Sequence, residues 1–145
     1  MAEISAVGIF CEDAREEKSG QVTLVGILPD TINVPAMPGM LAKLAVYIRV
    51  HISPPDAPVE RVTARLLMPN GDELVASEVE REKISAARAK AVTAGNPILG
   101  FILRFTATPL MVQAPGRFLA EVTVGEQTSI CGALTIELTP PGDAT

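Results

Sequence analysis

The densest run of chemistry-bearing residues in this 145-residue chain is Glu12-Asp13-Ala14-Arg15-Glu16-Glu17-Lys18, closed by Ser19-Gly20. Its four carboxylates could supply oxygen to a hard cation such as calcium, which takes about six to eight oxygen ligands. The spacing matches no EF-hand, and Arg15 and Lys18 sit inside the cluster, competing for the same carboxylates. The run therefore reads first as a charged, solvated turn. Either Asp13 pairs locally with Arg15, or Arg15 reaches back to the sheet and pins the turn. Glu12, Asp13, Arg15, Glu16 and Glu17 form the candidate interaction surface, with calcium or a small ligand as the alternative occupant.

Candidates for nucleophilic chemistry are sparse. His51 is the sole histidine, and a general base needs an orienting acid and a substrate cleft. It alternates onto the face of Arg49 and Tyr47 near a strand end, which suits an exposed structural position. Cys131 would need a base beside it to act as a nucleophile, and nothing in the sequence places His51 there. Cys11 and Cys131 read as small packed side chains. The chain has no CxxC or Cys/His cluster to ligate zinc, no P-loop and no glycine-rich dinucleotide turn. No catalytic residue, metal ligand or cofactor is assigned. The protein reads as a non-enzyme, and a hydrolase built on His51 and Cys131 is the weakest of three readings.

Composition narrows the class further. One domain is expected at this length, with 48% hydrophobic and 20% charged residues marking a globular chain. A net charge of −5, scattered basic residues, four Phe, one Tyr and no Trp argue against nucleic-acid binding. The N-terminal Met-Ala-Glu-Ile-Ser carries an acid where a signal peptide carries bases, and no apolar run reaches the length of a membrane span. Two distant cysteines fit free thiols in a reducing compartment, so a cytoplasmic, membrane-free protein is expected.

Positioning these residues falls to strands. Ile4 to Cys11 is a short apolar run without helical period, and Gln21 to Leu28 is a second, apolar on both faces. Two apolar faces suggest a central strand covered on each side, or one half-covered by a partner chain. Residues 29–40, with Pro29, Pro35 and Pro38, read as an ordered crossing loop. The clearest alternation is Leu44 to Ile52, with Leu44, Val46, Ile48, Val50 and Ile52 on one side and Ala45, Tyr47, Arg49 and His51 on the other. Val59 to Met68 follows, ending in the turn Pro69-Asn70-Gly71-Asp72.

Glu73 to Gly95 is ambiguous. Ser77 to Glu80 fits a capping box opening a helix within 77–95. A strand to about Val79 followed by a helix near 83–93 fits nearly as well. Ile98 to Thr106 puts Leu99, Phe101, Leu103 and Phe105 on one face. Pro115-Gly116 signals a type II turn before Arg117 to Val124, and Gly125-Glu126 a tight hairpin into Thr128 to Leu138, where Ile130, Leu134, Ile136 and Leu138 alternate inward. Strands in runs, rather than alternating with helices, define a mainly β fold. The expectation is an antiparallel β-sandwich, Ig-like or C2-like, of seven to eight strands with one short helix. It occupies residues 1–139 as a single domain, and 140–145 form a flexible tail.

The residues Cys11-Glu12-Asp13-Ala14-Arg15-Glu16-Glu17, then Gly20, then Leu24-Val25-Gly26-Ile27 resemble the opening of an uncharacterised family of small bacterial and phage proteins. That family is a domain of unknown function with a pattern close to C-D-D-x-R-x-E, G-K and L-x-G. The resemblance continues loosely through Val34-Pro35-Ala36-Met37-Pro38, Leu44 to Val50 and Pro115-Gly116-Arg117-Phe118. Glu12 replaces the usual Asp, and Gln21 stands at the Lys. The resemblance implies a β-sandwich and no activity.

The function this supports is a structural or protein-interaction module, phage-related if the resemblance extends so far. Self-association is expected, because a mean hydropathy of +0.31 is high for a domain of this size. Ala45, Leu67, Leu119, Cys131 and Ala133 add apolar or small side chains at outward positions, and a homo-oligomer would hide them.

Overall fold

The computed structural model describes residues 2–140, so all but the first residue of the tail assigned to 140–145 lies outside the described residues. Among the described residues, eleven strands and one helix follow in the order β1 (Glu3–Glu16), β2 (Val22–Ile27), β3 (Thr31–Val34), β4 (Gly39–Leu41), β5 (Leu44–Ser53), β6 (Val62–Leu67), β7 (Glu73–Val79), α1 (Arg81–Thr93), β8 (Leu99–Ala107), β9 (Leu110–Val112), β10 (Gly116–Val124) and β11 (Gln127–Leu138). A four-stranded sheet runs β2-β1-β5-β8 and a five-stranded sheet β3-β11-β10-β6-β7, with β4-β9 as a separate ribbon. The fold is mainly β with one short helix, and its two large sheets form a sandwich-like arrangement.

Alternation builds the core. On β5 the set Leu44, Val46, Ile48, Val50 and Ile52 is fully buried, and on β8 Leu99, Phe101, Leu103 and Phe105 join it. Phe118, Ala120, Val122 and Val124 of β10, with Leu134 and Ile136 of β11, supply the opposing side of the same cluster. Each large side chain so buried contributes about 1.5–3 kcal/mol relative to exposure. These are the strands whose period-2 pattern was plainest in the sequence.

The sheets close on one another where β1 passes β11. A Cβ on Gly132 would meet the Gly8 carbonyl oxygen at 2.8 Å, and one on Gly8 would meet Cys131 Sγ at 3.2 Å. Only two residues without side chains allow this approach. Elsewhere α1 packs against β8, burying Ile84 and Ala91. The Arg88 guanidinium donates to the Val59 carbonyl.

Several sequence expectations change here. The charged run is not one long turn: β1 continues through Glu16, and only Glu17 to Gly20 reverse the chain. A strand of 14 residues is longer than charge alone suggested, because pairing with β2 satisfies its backbone. β2 is an edge strand rather than a central one, with Val25 and Ile27 exposed. The segment 29–40 contains β3 and the start of β4, and β3 pairs parallel with β11, so the five-stranded sheet is mixed. These short pieces, with β9, raise the count from seven or eight strands to eleven.

The helix starts after a strand, with Glu80 as a cap that makes no side-chain hydrogen bond, so Ser77 belongs to β7 and the capping box does not form. Gly116 lies within β10 and does not adopt positive φ, which excludes the type II turn. The Gly125-Glu126 hairpin forms as expected, with Gly125 at φ 60 and Val124 opposite Gln127. In β11 a register shift leaves Gly132 opposite Ala120 but Ile130 opposite Glu121. The extra residue, Cys131, turns Ile130 outward while Leu134 and Ile136 stay inside. Leu138, at the strand's end, is also exposed.

Candidate functional site

Strand geometry disperses the charged run. Successive side chains of β1 point to opposite sides, and each acid finds its own neighbour. Arg15 Nε donates to Asp13 Oδ2 at 2.7 Å. That bond, with the nearby positive charge, holds the Asp13 carboxyl below its usual range and raises Arg15. Glu16 instead receives Arg104 at 2.9 Å. The Glu12 side chain lies across Gly26 beside a cleft of about 340 Å³, bordered by Leu28, Ile32, Met40 and Lys43. Glu17 begins the turn, its N–H donating to the Gln21 carbonyl at 2.7 Å. Of the five candidate surface residues, only Asp13 and Arg15 are brought together. Among the described residues no three of His, Cys, Asp and Glu converge as a metal site.

His51 and Cys131 are engaged with different partners. Arg49 Nε donates to His51 Nε2 at 3.0 Å, which uses the imidazole nitrogen as an acceptor. The Cys131 thiol donates to the Ala120 carbonyl at 3.4 Å, and the Cys11 thiol to the Asp13 carbonyl at 3.4 Å. Burial pushes Cys131 up to about 11 and raises Cys11 as well. Both cysteines are free thiols. A thiol that keeps its proton at neutral pH is a weak nucleophile.

The feature the sequence did not assemble is the outer face of the four-stranded sheet. Register sets three strands side by side there, with Val7 opposite Arg49 and Arg49 opposite Ile102. Above this row stand Ser5, His51 and Gly100; below it stand Ile9, Tyr47 and Arg104. Val7 is 56% exposed and Ile102 48%, with Ile27 at 63% toward the β2 edge. Between Val7 and Ile102, Arg49 is exposed and forms no ion pair among the described residues. Alternation had put Arg49 outward; nothing local to β5 showed that two aliphatic side chains would flank it.

The fold is a mainly β sandwich whose candidate acids are dispersed and whose four-stranded outer face mixes exposed aliphatic side chains with Arg49. The chain belongs to a family of unknown function (DUF6941), whose model matches residues 6–137. Comparison with curated proteins and with solved structures finds no match. Among the described residues no helix is long and apolar enough to cross a membrane.

Proposed function

We propose that this protein is a non-enzymatic interaction module that associates with itself through the free edge of β2. The observation that supports this reading is the composition of that edge. Val22 to Ile27 contains no charge and no proline, yet it ends the four-stranded sheet with Val25 and Ile27 in solvent. Edge strands usually carry lysine, proline or inward charge that blocks pairing with another chain. β7, at the edge of the five-stranded sheet, has Glu73 and Glu78, and β3 is short and flanked by Pro29 and Pro35. β2 has none of these. Antiparallel pairing of two β2 strands about a two-fold axis joins two four-stranded sheets into one.

Protein rather than nucleic acid is the partner class, given the net charge of −5. The two free thiols fit a reducing compartment such as the cytoplasm. Size exclusion coupled to light scattering at micromolar protein should give a mass above 15.3 kDa, and Val25→Lys should return it to 15.3 kDa. A wild-type mass of 15.3 kDa that persists at high concentration defeats the proposal.

A further inference from the structure

We infer that the centre of the outer face of the four-stranded sheet docks an acidic, apolar segment of a partner protein, with a partner carboxylate on Arg49 and apolar side chains on Val7 and Ile102. The inference rests on the interaction-module reading but not on the β2 edge.

Adjacent strands stand about 4.8 Å apart, so Val7, Arg49 and Ile102 span about 10 Å across one row. Arg49 is held at one end by the Nε bond to His51, leaving its two terminal nitrogens free of ion pairs among the described residues. A planar guanidinium takes a carboxylate through paired N–H groups. Apolar neighbours that exclude water strengthen such a pair, because the local dielectric falls. Gly100 gives the His51 ring room to lie over β8, with His51 Cδ2 3.5 Å from where a Gly100 Cβ would stand.

Charge selects the occupant. The whole chain carries −5, yet the three central rows hold Arg49, His51 and Arg104 and no carboxylate. Arg104 is already neutralised by Glu16, and Arg15 by Asp13, which leaves Arg49 as the unmatched cation of the three central rows, with Glu3, in no ion pair among the described residues, two rows away beside Ser53. A second copy laid face to face about a two-fold axis would bring Arg49 toward its own equivalent, like charge against like. A segment with a carboxylate between aliphatic residues complements both features at once.

The test is fluorescence anisotropy with three labelled peptides: alternating Leu and Glu, alternating Leu and Lys, and alternating Ser and Glu. The Leu–Glu peptide should bind at least about tenfold more tightly than either control, a difference that corresponds to one charge-assisted contact plus its apolar flanks. The protein's net charge opposes this preference, so nonspecific attraction cannot produce it. Arg49→Glu should abolish the preference, and Val7→Ser with Ile102→Ser should weaken Leu–Glu binding, each at an unchanged melting temperature. Equal binding of the three peptides, or full binding by Arg49→Glu, overturns the inference. If Arg49→Glu instead converts an oligomer to monomer, the face is a self-interface and the assigned partner is wrong. Val25→Lys separates the two proposals: a monomer that still prefers Leu–Glu keeps this face and leaves the edge as the site of self-association.

Discussion

The two outer faces of the sandwich each centre on an arginine, and the surroundings treat them differently. On the five-stranded sheet, Arg65 Nε donates to Glu121 Oε1 at 2.9 Å, and a second guanidinium nitrogen reaches the same oxygen. Glu73 lies 3.9 Å away on β7, and this acidic company raises Arg65 further. Arg61 pairs with Glu78 nearby, and the Thr123 and Thr128 hydroxyls meet at 2.9 Å. The four-stranded sheet gives Arg49 two aliphatic neighbours and an imidazole. The five-stranded face ties Arg61 and Arg65 to carboxylates, while Arg117 meets only the Thr135 hydroxyl at 3.4 Å. The four-stranded face sets Arg49, without a carboxylate among the described residues, between two exposed aliphatic side chains, the juxtaposition on which the proposed docking rests.

The largest expected effect tests the seam that holds the faces back to back. Gly132→Ala puts a methyl at 2.8 Å from a backbone oxygen, so urea unfolding should show a loss of about 2–3 kcal/mol from overpacking. Gly100→Ala, on the open face, meets His51 Cδ2 only at 3.5 Å and should stay within about 0.5 kcal/mol. Equal losses would mean that the seam is no tighter than the open face.

Next come the arginines themselves. Arg65→Ala strands Glu121, 9% exposed, without its partner, and should lower the urea midpoint, though by less than Gly132→Ala because Arg65 reaches solvent. Glu121→Gln in the same background should recover part of that loss, since it removes the stranded charge.

A smaller effect follows pH. Cys131 is raised by burial from 9.0 to about 11. The folded thiol keeps its proton where the unfolded thiol loses it, so its contribution is complete below about pH 9 and is lost as pH rises to about 11. Partial exposure keeps the loss to about 1 kcal/mol. Melting curves across that range should fall more steeply for the wild type than for Cys131→Ser.

The smallest effect is the sharpest contrast. Arg49→Ala should change stability by less than about 0.5 kcal/mol, because no buried acid depends on it. A loss matching that of Arg65→Ala would show that Arg49 supports the fold and would remove the difference between the faces.

Much of the sandwich was legible in the sequence because alternation reports burial directly. Leu44 to Ile52 and Leu99 to Phe105 could be read residue by residue, and so could the Gly125-Glu126 hairpin. What the sequence concealed was relational. Val22 to Ile27 has the same β-branched composition whether it lies in the centre of a sheet or at its edge, so its position could not be deduced from its own residues. The bulge at Cys131 flips Ile130 outward without any local signal, since one extra residue leaves the hydrophobic pattern superficially intact. The open face was illegible for the same reason. Val7, Arg49 and Ile102 lie on three strands and become neighbours only through register.

For the proposed β2-edge assembly, Gly26 is the residue that limits pairing. It sits within β2 at φ +65, with the Glu12 side chain packed beneath it, and the pairing expected between Gly26 and Glu12 is missing from the ladder. In the proposed pairing an incoming strand would follow Val22 to Val25 and then meet the left-handed backbone of Gly26, where the β1–β2 ladder itself skips one pair before resuming at Cys11 and Ile27. A flat edge of this composition would template fibre growth, whereas the proposed β2 pairing would close on two chains; an alanine at Gly26 would be strained by its φ and crowded by Glu12 before it could straighten the strand.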